Sequence, residues 1–155
     1  MSTLSINKRA NFDYEISETF EAGLVLFGHE VKTIRNNKIS LSGTFVTIKQ
    51  SGVKNPEAYL TNCHIPKYSK ANNLINLNPD RPKKLLLKKK EIDYLIGKRK
   101  EKGLTLVPLK IYTSHNLIKL EFGIGRGKKK YDKREDIKKR DILRDVNRTL
   151  KTNRN

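Results

Sequence analysis

Two short stretches concentrate side chains that bind phosphate. Arg81-Pro82-Lys83-Lys84-Leu85-Leu86-Leu87-Lys88-Lys89-Lys90 carries six cations in ten residues and no acid. Arg126-Gly127-Lys128-Lys129-Lys130-Tyr131-Asp132-Lys133-Arg134 carries six cations and one acid around a single aromatic ring. Lysine and arginine neutralise phosphates, and each neutralised phosphate releases condensed counterions. Gly127 lets a backbone approach a phosphate closely, and Tyr131 offers a face for stacking on a base. The chemistry these residues suit is binding to a nucleic-acid backbone.

Reaction chemistry has no comparable support. The 16 carboxylates are scattered, with no H-x-x-x-H, G-x-S-x-G or P-loop spacing among them. His29, His64 and His115 lie far apart, and with the single Cys63 they give no zinc spacing, so no metal and no cofactor is expected. Cys63 and His64 are adjacent, and in a strand adjacent side chains face opposite ways. Gly123, Gly125 and Gly127 do not have dinucleotide-loop spacing and precede a basic tail instead of a βαβ unit. The sequence therefore predicts a protein that is not an enzyme.

The whole chain agrees with the two clusters. Its 155 residues hold 34 Lys+Arg against 16 Asp+Glu, a formal net charge of +18. A polyanionic partner is the commonest reason for such an excess. The longest apolar run in the first 40 residues is Leu24-Val25-Leu26-Phe27, far short of the ~20 residues a membrane span needs. No membrane partner is expected, and the lone cysteine fits a reducing, cytoplasmic setting.

The elements that must position these residues fall into two parts. Residues 126–155 hold 13 basic and 5 acidic residues, and residues 1–125 hold 21 and 11. The tail has too few apolar residues to offset its ordering entropy of ~1–2 kcal/mol per residue. It is expected to be disordered when free, with only a thin stripe at Leu143, Val146 and Leu150.

In the body, Phe12, Tyr14 and Ile16 alternate as in a strand. Leu24, Phe27, Val31 and Ile34 share one helical face, with a stop at Asn36-Asn37. Residues 44–49 and 58–65 read as a hairpin, 66–82 as a loop, and Leu85-Leu86-Leu87 as a buried strand. A helix with Ile92, Leu95 and Ile96 on one face stops at Gly103. Leu104, Leu106, Leu109 and Ile111 change parity at Pro108, which predicts a bulge or an edge. After Ser114-His115-Asn116, the residues Ile118, Leu120, Phe122 and Ile124 alternate strictly. The expected fold is mainly β with two or three helices, a small antiparallel barrel or sandwich. The OB-like barrel is the common nucleic-acid binder of that size, an association rather than a derivation.

Several motifs, in order along residues 7–154, then resemble one family. Asn7-Lys8-Arg9-Ala10, Phe20-Glu21-Ala22-Gly23-Leu24 and Gly28-His29-Glu30-Val31-Lys32-Thr33-Ile34-Arg35 are similar to the N-terminal signature of the SsrA-binding proteins (small protein B, SmpB). Lys84-Leu85-Leu86-Leu87 resembles the family's middle element, and Gly127 to Arg134 with Asp136-Ile137-Lys138 its tail. The resemblance implies an OB-like antiparallel β-barrel over 1–125. It also implies a basic tail over 126–155, disordered when free and helical on the ribosome.

By the same resemblance the chain is a non-enzymatic adaptor, monomeric when free. It would bind the tRNA-like domain of transfer-messenger RNA and deliver it to stalled ribosomes for trans-translation. The implied RNA-binding residues are Asn7, Lys8, Arg9, Phe12, Glu21, Lys32, Lys84 and Leu86. Lys128, Lys129, Lys130, Tyr131, Asp132, Lys133, Arg134 and Lys138 would meet small-subunit rRNA in the A site and messenger channel. Phe12 stands where the family usually carries histidine; a phenyl ring still stacks on a base but donates no hydrogen bond. The residues alone also suit a basic structural protein of the ribosome that binds rRNA, a rival from a different class.

Overall fold

A computed structural model describes residues 1–50, 52, 54–69 and 77–152. Seven strands and four helices follow one another: β1 (Ser2–Ile6), α1 (Ala10–Asp13), β2 (Tyr14–Leu24), α2 (Gly28–Arg35), β3 (Phe45–Lys49), β4 (Glu57–Thr61), β5 (Lys83–Leu86), α3 (Lys89–Arg99), β6 (Leu104–Ser114), β7 (Leu117–Gly127) and α4 (Lys130–Thr152). The strands make one sheet in the order β1-β6-β7-β2-β5-β4-β3, and every pairing is antiparallel.

The sheet is not closed. β1 and β3 are its two edges, so the expected barrel is replaced by an open, strongly curved sheet. β3 nevertheless comes round to face β6. A cavity of about 430 Å³ lies at that seam, lined by Gly43, Thr44 and Phe45 on one side and Thr105, Leu106 and Val107 on the other.

The curvature has a local cause in the long β2–β7 pair. β2 slips register between Ile16 and Glu18, opposite Gly125 and Ile124. A Cβ on Gly123 would lie 2.6 Å from Ile16 Cγ2 and 2.9 Å from the Glu18 carbonyl oxygen. Gly123 thus lets the bulged strand close onto its neighbour, which a side chain would prevent. β6 slips between Pro108 and Lys110, where the parity change in the sequence falls. His115 and Asn116 both take positive φ (49° and 63°) in the two-residue turn to β7, the backbone hand that a tight hairpin needs.

The core sits inside this curve. Ile118, Leu120, Phe122 and Ile124 of β7 are all buried, as their alternation requires. They pack with Ile111 of β6, Leu85 of β5, Leu60 of β4, Val46 of β3, Ile34 of α2 and Leu95 of α3.

Other expectations need correction. Phe12 belongs to α1, not to a strand, and β2 begins at Tyr14 and runs on through Leu24. The helix read from Leu24 therefore starts only at Gly28. Its buried face is Glu30, Thr33 and Ile34, while Phe27 is half exposed. Apolar spacing misled here because a carboxylate is the buried anchor. Glu30 takes the Phe27 N–H at 2.8 Å and the Arg81 Nε at 2.9 Å, so its charge is compensated.

Asn37, at φ 56°, ends α2 as the sequence suggests, and Gly103, at φ 82°, follows α3. β4 stops at Thr61, four residues short of the expected strand, where Asn62 turns to positive φ. Part of the expected loop, 70–76, lies outside the described residues. β1 and α1 have no counterpart in the sequence reading. Residues Lys130–Thr152 form one helix that buries no side chain.

Candidate nucleic-acid interface

β2 spans the molecule and separates two polar sites. At its far end Gly23 pairs with Leu86 of β5 and with Lys119 of β7. A groove there is lined by Glu21, Gly23, Leu86, Lys88, Glu91 and Lys119, among others. Leu86 is 59% exposed, whereas its neighbour Leu85 is buried in the core. Pairing opposite a glycine leaves the Leu86 side chain standing at the groove edge, its Cδ1 3.4 Å from a Cβ placed on Gly23.

Glu21 lies directly across from Glu121. Two carboxylates facing each other are unfavourable, and two lysines offset them. Lys119 Nζ is 3.9 Å from Glu21, and Lys110 Nζ is 2.8 Å from Glu121. The buried Tyr112 hydroxyl is pushed up to about 12, first by burial and then by the Glu21 carboxylate. The groove presents the exposed Leu86 side chain, the Glu21 and Glu91 carboxylates and the lysines Lys88 and Lys119. Such a set can contact bases, ribose hydroxyls and phosphates together.

Cluster one is less available than its charge suggests. Lys83 is fully buried, and its Nζ donates to the carbonyls of Cys63 and, at 3.0 Å, Pro79. Burial lowers the Lys83 pKa. Arg81 pairs with Glu30 and lies over the Phe27 ring at 4.2 Å. Phe27 in turn stacks on His29, with ring centroids 5.9 Å apart. Lys84 is bound to Glu57, whose carboxyl it holds below the ordinary range. The cations with open exposure here are Lys88, Lys89 and Lys90. Lys32 is exposed on α2, 5.6 Å from the centre of the Tyr68 ring, and outside the groove.

The other end of β2 gathers the N-terminal signature. The Asn7 amide Nδ2 donates to Pro108 O at 2.9 Å, and its Oδ1 accepts the Arg9 N–H at 3.3 Å. Asn7 thereby ties the turn to the β6 bulge, and its amide group is committed inside the protein. Lys8 and Arg9 are exposed on that turn, with Arg9 3.3 Å from Asp13. Phe12 is half-buried and faces cations of α4: Arg140 Cζ lies 5.2 Å and Lys133 Nζ 6.0 Å from the ring centre.

Glu21 is seven residues along β2 from Tyr14, roughly 20 Å. The N-terminal residues therefore sit far from the groove that holds Glu21 and Leu86. Sequence order gave no sign of this separation.

On the tail, Lys129, Lys130, Tyr131, Arg134 and Lys138 are exposed. Asp132 is explained locally: its Oδ2 accepts the Lys129 N–H at 3.3 Å, an acid in the first turn where the helix dipole favours one. Lys128 is half-buried against the body.

Two features bear on reactivity. The Cys63 thiol is buried and pushed up to about 11 by that burial, so it is a poor nucleophile. His64 pairs with Asp80 on the surface at 2.8 Å. Among the described residues no helix is long and apolar enough to cross a membrane.

Known proteins are similar to this chain. A family model described as SmpB protein matches residues 4–152. An SsrA-binding protein of Thermosipho africanus is 51% identical over 155 residues, covering 99% of this chain and all of its own. One from Enterococcus faecalis is 49% identical over 148 residues, covering 96% and 92%. A solved structure described as "tmRNA-SmpB: a journey to the center of the bacterial ribosome" is 43% identical, with a TM-score of 0.64 over 85% of this chain and 92% of that one. Near-complete coverage in both directions, at about half identity, means that this chain belongs to the SmpB protein family.

Proposed function

We propose that this chain is a non-catalytic adaptor of ribosome rescue. It binds the tRNA-like domain of transfer-messenger RNA with its body and delivers that RNA to stalled ribosomes for trans-translation. The reading is carried by full-length similarity to SsrA-binding proteins and to a tmRNA–SmpB structure on the ribosome.

The groove at the far end of β2 supplies the RNA contact, with Leu86 against a base or ribose and Glu21 accepting from an exocyclic amine or a 2′-hydroxyl. Lys88 adds a phosphate contact at its rim, and Lys84, once released from Glu57, and Lys32, on α2, add contacts outside it. Lys8 and Arg9 reach RNA from the turn that Asn7 pins, and Phe12 borders the same turn. Lys128, Lys129, Lys130, Tyr131, Asp132, Lys133, Arg134 and Lys138 meet small-subunit rRNA in the vacant messenger channel next to the A site.

The division of labour between 1–125 and 126–155 belongs to the same proposal, with the tail disordered when free and helical on the ribosome. That α4 buries none of its side chains supports it. The open sheet fits an OB-like barrel left unclosed, since β3 faces β6 across the seam cavity. The protein would act as a monomer in the cytoplasm, without a cofactor.

Affinity for transfer-messenger RNA and for an ordinary tRNA, measured across salt, tests the reading. With ~6–10 phosphates engaged, raising salt from 50 to 200 mM weakens binding by ~10³–10⁵. Transfer-messenger RNA should stay the tighter ligand throughout, and equal affinity at every salt would sink the proposal.

A further inference from the structure

The contacts between body and tail converge on α1, a helix of only four residues. The Lys128 N–H donates to Asp13 O at 2.9 Å. Lys128 Nζ donates to Asn11 O at 2.8 Å and to the Asp136 carboxylate at 2.6 Å. Asp13 holds Lys133 through Oδ1 at 3.2 Å and Arg9 through Oδ2 at 3.3 Å. The Phe12 ring lies against Lys133 and Arg140, at 6.0 and 5.2 Å.

On α4 the residues involved are Lys133, Asp136 and Arg140, spaced i, i+3, i+7. That spacing places them on one face of the helix. Lys133 and Asp136 are also the two α4 residues that are half-buried, the rest of the helix being exposed. The same face continues one turn later at Leu143.

An ion pair at the surface holds one point, weakly and with sensitivity to salt. One point leaves a helix free to swivel. Lys133 and Arg140 are seven residues apart, about 10 Å along the axis, and the Phe12 ring engages both. A phenyl ring attracts cations through its quadrupole and carries no charge at any pH. Two anchored points on one face fix the direction of a helix and its rotation about its own axis.

We propose that Phe12 and Asp13 are positioning residues for the tail. When α4 is helical they seat its first three turns on α1 and set the side from which Leu143, Val146 and Leu150 emerge. These three are exposed at 61%, 48% and 60%, an apolar stripe that lies outside the core cluster. The inference rests on the adaptor reading, in which the helical tail enters a narrow rRNA channel and an unset rotation would present the wrong face.

The test uses the full chain carrying spin labels at Lys102→Cys and Leu143→Cys. The native Cys63 can remain, because it is buried with a raised pKa. Distance distributions are recorded on stalled ribosomes, with transfer-messenger RNA and ribosomes in excess so that weakened binding is not read as a loose tail. The unsubstituted joint should give one narrow distribution. Phe12→Leu, which keeps an apolar side chain but removes the ring, should broaden it, and so should Asp13→Asn. Phe12→Tyr, which keeps the ring, should restore it.

Rescue of stalled ribosomes should fall several-fold with Phe12→Leu and recover with Phe12→Tyr. A distribution unchanged by Phe12→Leu, or one already broad without it, overturns the inference. Failure of the labelled protein to join transfer-messenger RNA or the ribosome at all would overturn the adaptor reading instead.

Discussion

The two ends of β2 handle charge in opposite ways. At the groove end, Glu21 and Glu121 face each other, lysines surround them, and Leu86 is left bare. On the proposed reading, those groups meet the RNA. At the α1 end, Asp13 and Asp136 already hold Arg9, Lys128 and Lys133, and Phe12 meets two more cation contacts. Charge there is spent on the protein's own tail. A basic cluster therefore has no single meaning: its role depends on which acids the fold brings to it.

The largest effect should come from removing the tail. Deleting residues 128–155 keeps Arg126 and Gly127, which pair with Glu15 and Tyr14, so β7 and the sheet stay whole. Binding of transfer-messenger RNA should change by no more than a few-fold, while rescue activity is lost. A filter-binding assay beside a stalled-ribosome peptide-transfer assay separates the two. Loss of RNA binding on truncation would mean that the two ends do not divide the work.

At the groove end, Leu86→Ala should weaken transfer-messenger RNA binding about tenfold, the scale of ~1–2 kcal/mol expected when an apolar side chain loses its buried contact. It should leave the melting temperature unchanged, because Leu86 is mostly exposed. A lowered melting temperature with unchanged affinity would move Leu86 from the interface to the fold.

Lys83 and Lys88 sharpen the contrast inside one cluster. Lys83→Met leaves the Cys63 and Pro79 carbonyls without their donor and should cost about 1–3 kcal/mol of stability. It should leave the salt slope of RNA binding untouched. Lys88→Ala should do the reverse, reducing the slope by about 1 for one lost phosphate contact and sparing stability. Chemical denaturation and salt titration on the same two variants decide between these outcomes.

The difference between Lys83 and Lys88 also marks the limit of reading this fold from sequence. The two are identical in type and five positions apart, and only the pairing of β5 with β4 and β2 buries the first. Where one residue type has one job, the sequence was legible. The alternation from Ile118 to Ile124, the bulge at Pro108 and the turn at Asn37 all lie where local physics puts them.

Elements whose buried positions are polar escaped notice. α2 turns Glu30 inward because Arg81, 51 residues away, supplies its partner, and Thr33 because its hydroxyl donates to the carbonyls of His29 and Pro66. β1 is an edge strand, Ser-Thr-Leu-Ser-Ile, that pairs with β6 and whose Ser5 donates to the Ile39 carbonyl. The separation of Asn7 and Phe12 from Glu21 needed the length of β2, which the helix read at Leu24 had cut short.

The smallest expected effect concerns acid. Lys128 donates to the Asp136 carboxylate and holds its pKa below the ordinary 3.8. A carboxyl with a depressed folded pKa adds stability that is present above its unfolded value and is lost as pH falls through the folded one. The contribution of this pair should therefore be intact at neutral pH and disappear only below about 3.8. Both groups meet solvent, so the change should be slight in global stability and visible mainly in the motion of the tail. A spin label at Leu143→Cys, followed from pH 6 downward in trifluoroethanol, which favours helix in a free tail otherwise disordered on the proposed reading, should gain mobility only in that acid range. Asp136→Asn should show the mobile spectrum at every pH. If mobility already rises near pH 5, another carboxylate and not the Lys128–Asp136 pair holds the first turn of α4, whereas mobility that never rises in acid would leave that end to the uncharged Phe12 ring.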